Sequence, residues 1–135
     1  RFNPKGVPAL YLSLSVMTAL REANQVGNLQ PTTLVSYDAE IDSIFDCRDD
    51  RALKAEGIDA AELGDSTWRD QMKASGEART QAFARRLIAG GYQGLLVRSF
   101  APGAAADDLN LVLWKWGDAA PARVILIDDE NRLSR

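Results

Sequence analysis

The chain has 135 residues, of which 46% are hydrophobic and 26% charged; this fits one domain with one buried core and excludes a disordered chain. A net charge of −3 gives no electrostatic footprint for direct nucleic-acid binding or for an anionic membrane, and no apolar run approaches the roughly 20 residues of a membrane helix. There is no histidine and one cysteine, Cys47, which removes Ser-His-Asp and Cys-His catalysis, the commonest zinc ligand and any intramolecular disulfide.

Residues 8–14 (PALYLSL) alternate and predict a short strand. Ser15 is placed to cap a helix that carries Met17, Leu20, Arg21 and Glu22 and ends near Gly27. Leu29, Gln30 and Pro31 form a break. Residues 32–41 (TTLVSYDAEI) predict a long strand, and Asp42 to Asp50 a turn. The stretch 49–76 is polar, with short helical pieces at 50–56 and 59–63. A third piece, at 66–73, has Asp65 as its cap and Gly76 as its stop. This stretch has few large apolar residues and reads as a surface subregion of the same domain. Residues 77–89 give the clearest helix, with Phe83, Leu87 and Ile88 as its apolar stripe, Arg79, Arg85 and Arg86 outside, and Gly90-Gly91 ending it. Strands at 94–98 (GLLVR), 110–116 (NLVLWKW) and 123–128 (RVILID) follow, with a loop at 99–109 between the first two. The pattern is α+β, with a mixed sheet of about five strands.

Arg1, Tyr11 and Glu22 fall roughly ten residues apart on a predicted turn, strand and helix. A guanidinium can clamp phosphate or hydroxyl edges, an aromatic ring can stack on a base, and a carboxylate favours a developing oxocarbenium ion. Taken singly, each has a plainer reading: a frayed terminal charge, a core tyrosine and a solvated helix glutamate. Lys5 on the turn is a candidate for attracting a phosphate, against a solvated lysine. Ser13 and Ser15 flank the strand end and are candidates for substrate contact or helix capping. Asp38 and Glu40 share a strand face and read as a solvent-facing row. Arg98 either binds substrate or ends its strand. Trp114 and Trp116 share one face, for packing or for a partner. Cys47, lacking a histidine, reads as a buried or inert thiol. No GxGxxG element is present, so no Rossmann site is indicated.

The surrounding words strengthen the constellation. Arg1, Phe2, Asn3, Gly6, Tyr11, Ser13, Ala19, Leu20 and Glu22, then Ser99 after GLLVR and Asn110 opening NLVLW, together resemble the RES-domain toxins, which bacteria encode beside an Xre-type antitoxin. The resemblance covers nearly the whole chain, 1–135. It implies a fold related to ADP-ribosyltransferases, with a mixed or split sheet and flanking helices. It further implies NAD as substrate, no metal, and a cytoplasmic protein neutralised by an antitoxin that covers the cleft. Arg1, Tyr11 and Glu22 would then form the catalytic set. Ser99 and Asn110 would join Arg1, Tyr11, Lys5 and Ser13 in holding the dinucleotide. Trp114, Trp116 or the 99–109 loop is expected near the antitoxin contact. Family members carry a few tens of residues, including a strand, before this arginine. The expectation is therefore that an N-terminal segment is missing here.

The leading expectation is an enzyme that cleaves the nicotinamide–ribose bond of NAD and passes ADP-ribose to water, phosphate or a protein acceptor, with 49–76 as an acceptor-docking surface. A second reading is a non-catalytic interaction module acting through antitoxin binding. A third, a plain structural domain, would leave Arg1, Tyr11 and Glu22 scattered.

Overall fold

Alternation with period two and helical stripes succeed one another along the chain, and each takes up the element its period dictates. The computed structural model describes residues 1–24 and 31–133. In order come β1 (Leu10–Ser13), α1 (Val16–Ala23), β2 (Ser36–Ile41), β3 (Ile44–Asp46), α2 (Asp50–Ala55), α3 (Ala60–Leu63), α4 (Trp68–Ser75), α5 (Arg79–Ala89), β4 (Gly94–Arg98), β5 (Leu109–Leu113) and β6 (Ala122–Ile127). Strands β1-β5-β4-β3 form a mixed sheet, in which only the β3–β4 pair is parallel. β2 and β6 make a separate antiparallel ribbon. The fold is α+β with a split sheet, compatible with an ADP-ribosyltransferase-like architecture.

The parallel β3–β4 pair needs a long crossover, and α2 to α5 supply it. The four helices cover the sheet, and their inward residues fill the core. Phe83 and Leu87 of α5 meet Leu95 and Val97 of β4, Val112 of β5 and Phe45 of β3. The Phe45 ring stands edge-on to Phe83 and to Tyr92, with centroids 5.5 and 5.4 Å apart. Gly94 opens β4 because nothing larger fits. A Cβ there would lie 2.3 Å from the Val112 carbonyl oxygen.

Several sequence expectations need correction. The Asp42–Asp50 turn contains β3. Its three residues are too short to show alternation, and they become a strand only through pairing with β4. The strand expected over 32–41 starts at Ser36, where its partner β6 ends at Ile127. Residues 32–35 have strand-forming side chains but no strand beside them. The strand expected over 110–116 ends at Leu113, so Trp114 and Trp116 share no strand face. The stretch 49–76 is more than surface: Leu53, Ile58 and Leu63 are at most 5% exposed and belong to the core. Three well-spaced apolar residues suffice when short helices lie flat on a sheet. Asp65 does not cap α4 directly. Its carboxylate accepts from the amide and hydroxyl of Thr67, at 2.8 and 2.7 Å, and Thr67 occupies the cap. Gly76 closes α4 in the left-handed region, as expected. Ser15 caps α1 by accepting from Thr18 N, and α1 ends at Ala23; Gly27, Leu29 and Gln30 lie outside the described residues.

Candidate active site

Register across the sheet places the site. Tyr11 lies opposite Val112, and Val112 opposite Leu95. One step along, Ser13 lies opposite Asn110, and Asn110 opposite Val97. Side chains at alternate positions share a face, so these two transverse rows point the same way. Tyr11, Asn110, Val97 and Val112 thereby line one cavity of about 210 Å³. Glu22 from α1, Arg1 and Phe2 from the leading segment, Trp68 and Arg69 from the start of α4, and Arg98 and Phe100 at the end of β4 complete it. The volume is below the roughly 300 Å³ at which drug-sized pockets begin. It suits one end of a dinucleotide, with the remainder running over the rim.

Glu22 is held firmly. Its Oε1 accepts from the Ser99 hydroxyl at 2.5 Å and from Asn110 Nδ2 at 2.6 Å. The Ser13 hydroxyl donates to Asn110 Oδ1 at 2.7 Å, which fixes the amide with its NH₂ toward the carboxylate. Ser13, Asn110, Glu22 and Ser99 thus form one hydrogen-bonded chain spanning β1, β5, α1 and the end of β4. Charge-assisted bonds of this length are among the stronger ones.

The leading segment is anchored, against the plainer reading of Arg1 as a frayed charge. The buried Thr80 hydroxyl donates to the Arg1 carbonyl at 2.7 Å, and Trp114 Nε1 donates to the Phe2 carbonyl at 2.8 Å. The Tyr11 hydroxyl accepts from Phe2 N at 3.2 Å and donates to Asn3 Oδ1 at 2.6 Å. The Arg1 guanidinium lies over the rings of Phe100 and Trp68, 5.4 and 5.7 Å from their centroids. Partial burial and the nearby Arg69 lower its pKa, while Glu22 opposes the shift. Partial burial raises the Tyr11 pKa against the Phe2 amide and Arg1. The phenol therefore stays protonated and donates. Tyr11 is no core residue: 48% of it is exposed, toward the cavity.

A second tier supports this floor. The buried Asp108 accepts from the Thr18 hydroxyl at 2.6 Å, Arg21 Nη1 at 2.8 Å and Ala105 N at 2.7 Å. Its own carbonyl accepts from Ser99 N at 2.7 Å. One residue therefore ties the helix bearing Glu22 to the turn bearing Ser99. Phe100 occupies its place because α3 ends in Gly64, where a Cβ would sit 2.8 Å from the ring.

The structure brings six of the seven expected site residues together. Arg1, Tyr11, Glu22 and Asn110 line the cavity, and Ser13 and Ser99 hold the ones that do. Lys5 is exposed on its turn and is not among the lining residues. Trp68, Arg69, Phe100 and Asp108 went unread in the sequence. Trp68 follows a polar run and could have been suspected as a lone large aromatic on a short helix; the others carry no local signal. Asp38 and Glu40 lie on the exposed β2, with Asp38 3.4 Å from Arg123. Trp114 is buried and committed to Phe2, so it offers no partner surface, whereas Trp116 is 40% exposed. Cys47 is buried, and burial with Asp46 nearby pushes its thiol up to about 12. Among the described residues, no group of three or more His, Cys, Asp or Glu side chains is placed to hold a metal ion, and no helix is long and apolar enough to cross a membrane.

Fold and site together define an α+β domain in which a helix carboxylate, held against the sheet by Asn110 and Ser99, shares a small polar cavity with arginines and aromatic rings. The chain belongs to the RES domain family, which matches residues 1–135, the whole chain. RES domains are associated with NAD-related toxin activity in toxin–antitoxin systems, which makes this an NAD-acting protein in general terms. No curated protein and no solved structure matches the chain.

Proposed function

We propose that this chain is a toxin enzyme that breaks the nicotinamide–ribose bond of NAD and transfers ADP-ribose to a protein acceptor, or to water or phosphate. The observation that carries the reading is the Glu22 carboxylate, held by Ser99 and Asn110 on the wall of the cavity that Arg1 and Tyr11 also line. The C1′–N bond breaks with its electron pair passing to the nicotinamide ring, which leaves neutral. C1′ develops oxocarbenium character, which the Glu22 carboxylate favours electrostatically. An acceptor oxygen or nitrogen then bonds to C1′ and gives up its proton to the carboxylate or to water. Tyr11 stacks on or hydrogen-bonds to the nicotinamide riboside end, and Arg1, backed by two aromatic rings, grips a hydroxyl or phosphate edge. Neither a metal nor a histidine is needed.

In this reading the protein works in the cytoplasm, where its lone thiol stays reduced, and an Xre-type antitoxin silences it by covering the cavity. The exposed Trp116 is a candidate for that contact. Purified protein incubated with NAD, followed by chromatography for nicotinamide, tests the bond cleavage; intact NAD with and without added lysate would refute it. Adenine-labelled NAD with lysate separates the acceptors. Labelled protein bands indicate protein transfer, and free ADP-ribose or its phosphate ester indicates the small acceptors.

A further inference from the structure

The cavity's charges do not balance. Glu22 is the only carboxylate among the lining residues, against Arg1, Arg69 and Arg98. Among the described residues Arg1, Arg69 and Arg98 form no ion pair; Arg51 and Arg86 form none either, but they lie outside the cavity, whereas these three meet in it. Two of the three also share one aromatic ring. Arg69 stacks on the Trp68 ring at 4.3 Å, the ring that Arg1 overlies at 5.7 Å. Arg69 is among the causes that lower the Arg1 pKa, so the two like charges repel. A chain of net charge −3 that places an excess of positive charge around one small cavity is built to receive an anion there.

Geometry divides the labour. Tyr11 and Asn110 of the sheet line the cavity together with Glu22, which Asn110 holds, and Arg1 lies over the Trp68 and Phe100 rings. Arg69 and Arg98 are exposed and line the cavity from two different elements, the first turn of α4 and the end of β4. Guanidinium forks match phosphate oxygens in pairs, and the aromatic stacking of Arg69 orders its fork in advance. We propose that Arg69 and Arg98 form a diphosphate-binding rim separate from Arg1, so that the site takes nucleotides and rejects the corresponding nucleosides. This rests on the NAD reading for the identity of the substrate, but the rim itself can be tested without turnover.

The experiment is calorimetric titration of ADP, with adenosine as the phosphate-free control, into the full chain and its Arg69→Gln, Arg98→Gln and double variants. Arg51→Gln, which removes an exposed arginine of α2 outside the cavity, controls for loss of net charge. The expected result is ADP bound at least about tenfold more tightly than adenosine. Each single variant should weaken ADP by about five- to tenfold, the double variant by more, and Arg51→Gln by less than about twofold. Arg69→Lys, which keeps the charge and loses the fork, should fall between and also serves if the glutamine variant folds poorly. Equal affinity for ADP and adenosine, absence of ADP binding, or a double variant no weaker than Arg51→Gln would overturn the rim. Rim-dependent ADP binding by a protein that leaves NAD intact would keep the rim and overturn the NAD-cleaving reading. NAD cleavage with ADP affinity indifferent to both arginines would do the reverse.

Discussion

Replacing Glu22 by Gln tests the carboxylate itself. Glutamine keeps the shape and leaves a carbonyl oxygen to accept from Ser99 and Asn110, the bonds now made at 2.5 and 2.6 Å. What disappears is the negative charge. A unit charge about 4 Å from a developing positive centre, at the effective dielectric of about 20 near a protein surface, is worth about 4 kcal/mol. At 1.4 kcal/mol per decade that caps the effect near 10³-fold, and partial exposure of the cavity reduces it. The expected loss in kcat is therefore about 10²- to 10³-fold, in the range found when a preorganised electrostatic contact is removed. Because the charge acts mainly in the transition state, KM should move by less than about threefold. Steady-state nicotinamide release measures both constants, and a melting curve shows whether the neutral hydrogen bonds have held the fold. A variant that retains its melting temperature and turns over within about threefold of the native protein would refute the electrostatic role.

Three further outcomes are expected. Thr80→Val removes the buried hydroxyl that donates to the Arg1 carbonyl. It should cost about 1–2 kcal/mol, or about 3–8 °C in Tm, and should raise KM as Arg1 loosens; an unchanged melting curve would show that Arg1 is not anchored this way. Hydrogen bonds from Thr18 and the Ala105 amide, with the Arg21 guanidinium, hold the Asp108 carboxyl below its ordinary 3.8. The unfolded chain therefore takes up that proton first on acidification. The resulting stability is fully present above 3.8 and is lost as pH falls through the lower folded value. Asp46 and Glu77, lowered by Arg48 and Arg85, act in the same direction but are only half-buried, and their ion pairs are screened by solvent. Asp108→Asn should flatten the acid limb of a stability-versus-pH curve, and superimposable limbs would exclude the contribution. Cys47, with its thiol up at about 12, should resist a thiol reagent in mildly alkaline buffer and react fully once the chain is denatured. Rapid labelling of native protein would place it at the surface instead.

Much of the site was legible because its residues sit on elements with strong local signals. Tyr11 and Ser13 follow from the alternation of PALYLSL, and Glu22 from a helix whose cap is a serine. Asn110 follows from the first polar position of an otherwise apolar strand. The words around them added what periodicity alone lacks, the assignment of these residues to one site. Asp108 was not legible. Its partners Thr18 and Arg21 are 90 and 87 residues away, and nothing near Asp108 announces a buried aspartate. Phe100 was not legible either, since its position depends on Gly64 vacating the space at the end of a different helix. β3 was missed for a related reason. A three-residue strand is decided by its neighbour, because its own composition is too short to have a period. The middle stretch was misjudged by counting apolar residues without asking how thinly short helices can cover a sheet.

The two transverse rows across β1, β5 and β4 also bear on which changes of length the chain can absorb. A residue inserted in the turn ahead of β5 that slips the whole strand by one position would turn Asn110 to the opposite face and present its apolar neighbour, Leu109 or Leu111, to Glu22. The carboxylate would lose Asn110, and Asn110 would lose Ser13, in one event. The exposed turn at 118–120, between β5 and β6, carries no such register, and length variation there shifts only surface. Insertions and deletions among descendants of this sequence should therefore accumulate at 118–120 and be absent from Leu10–Ser13, Gly94–Ser99 and Asp108–Leu113, even where single substitutions in those strands persist.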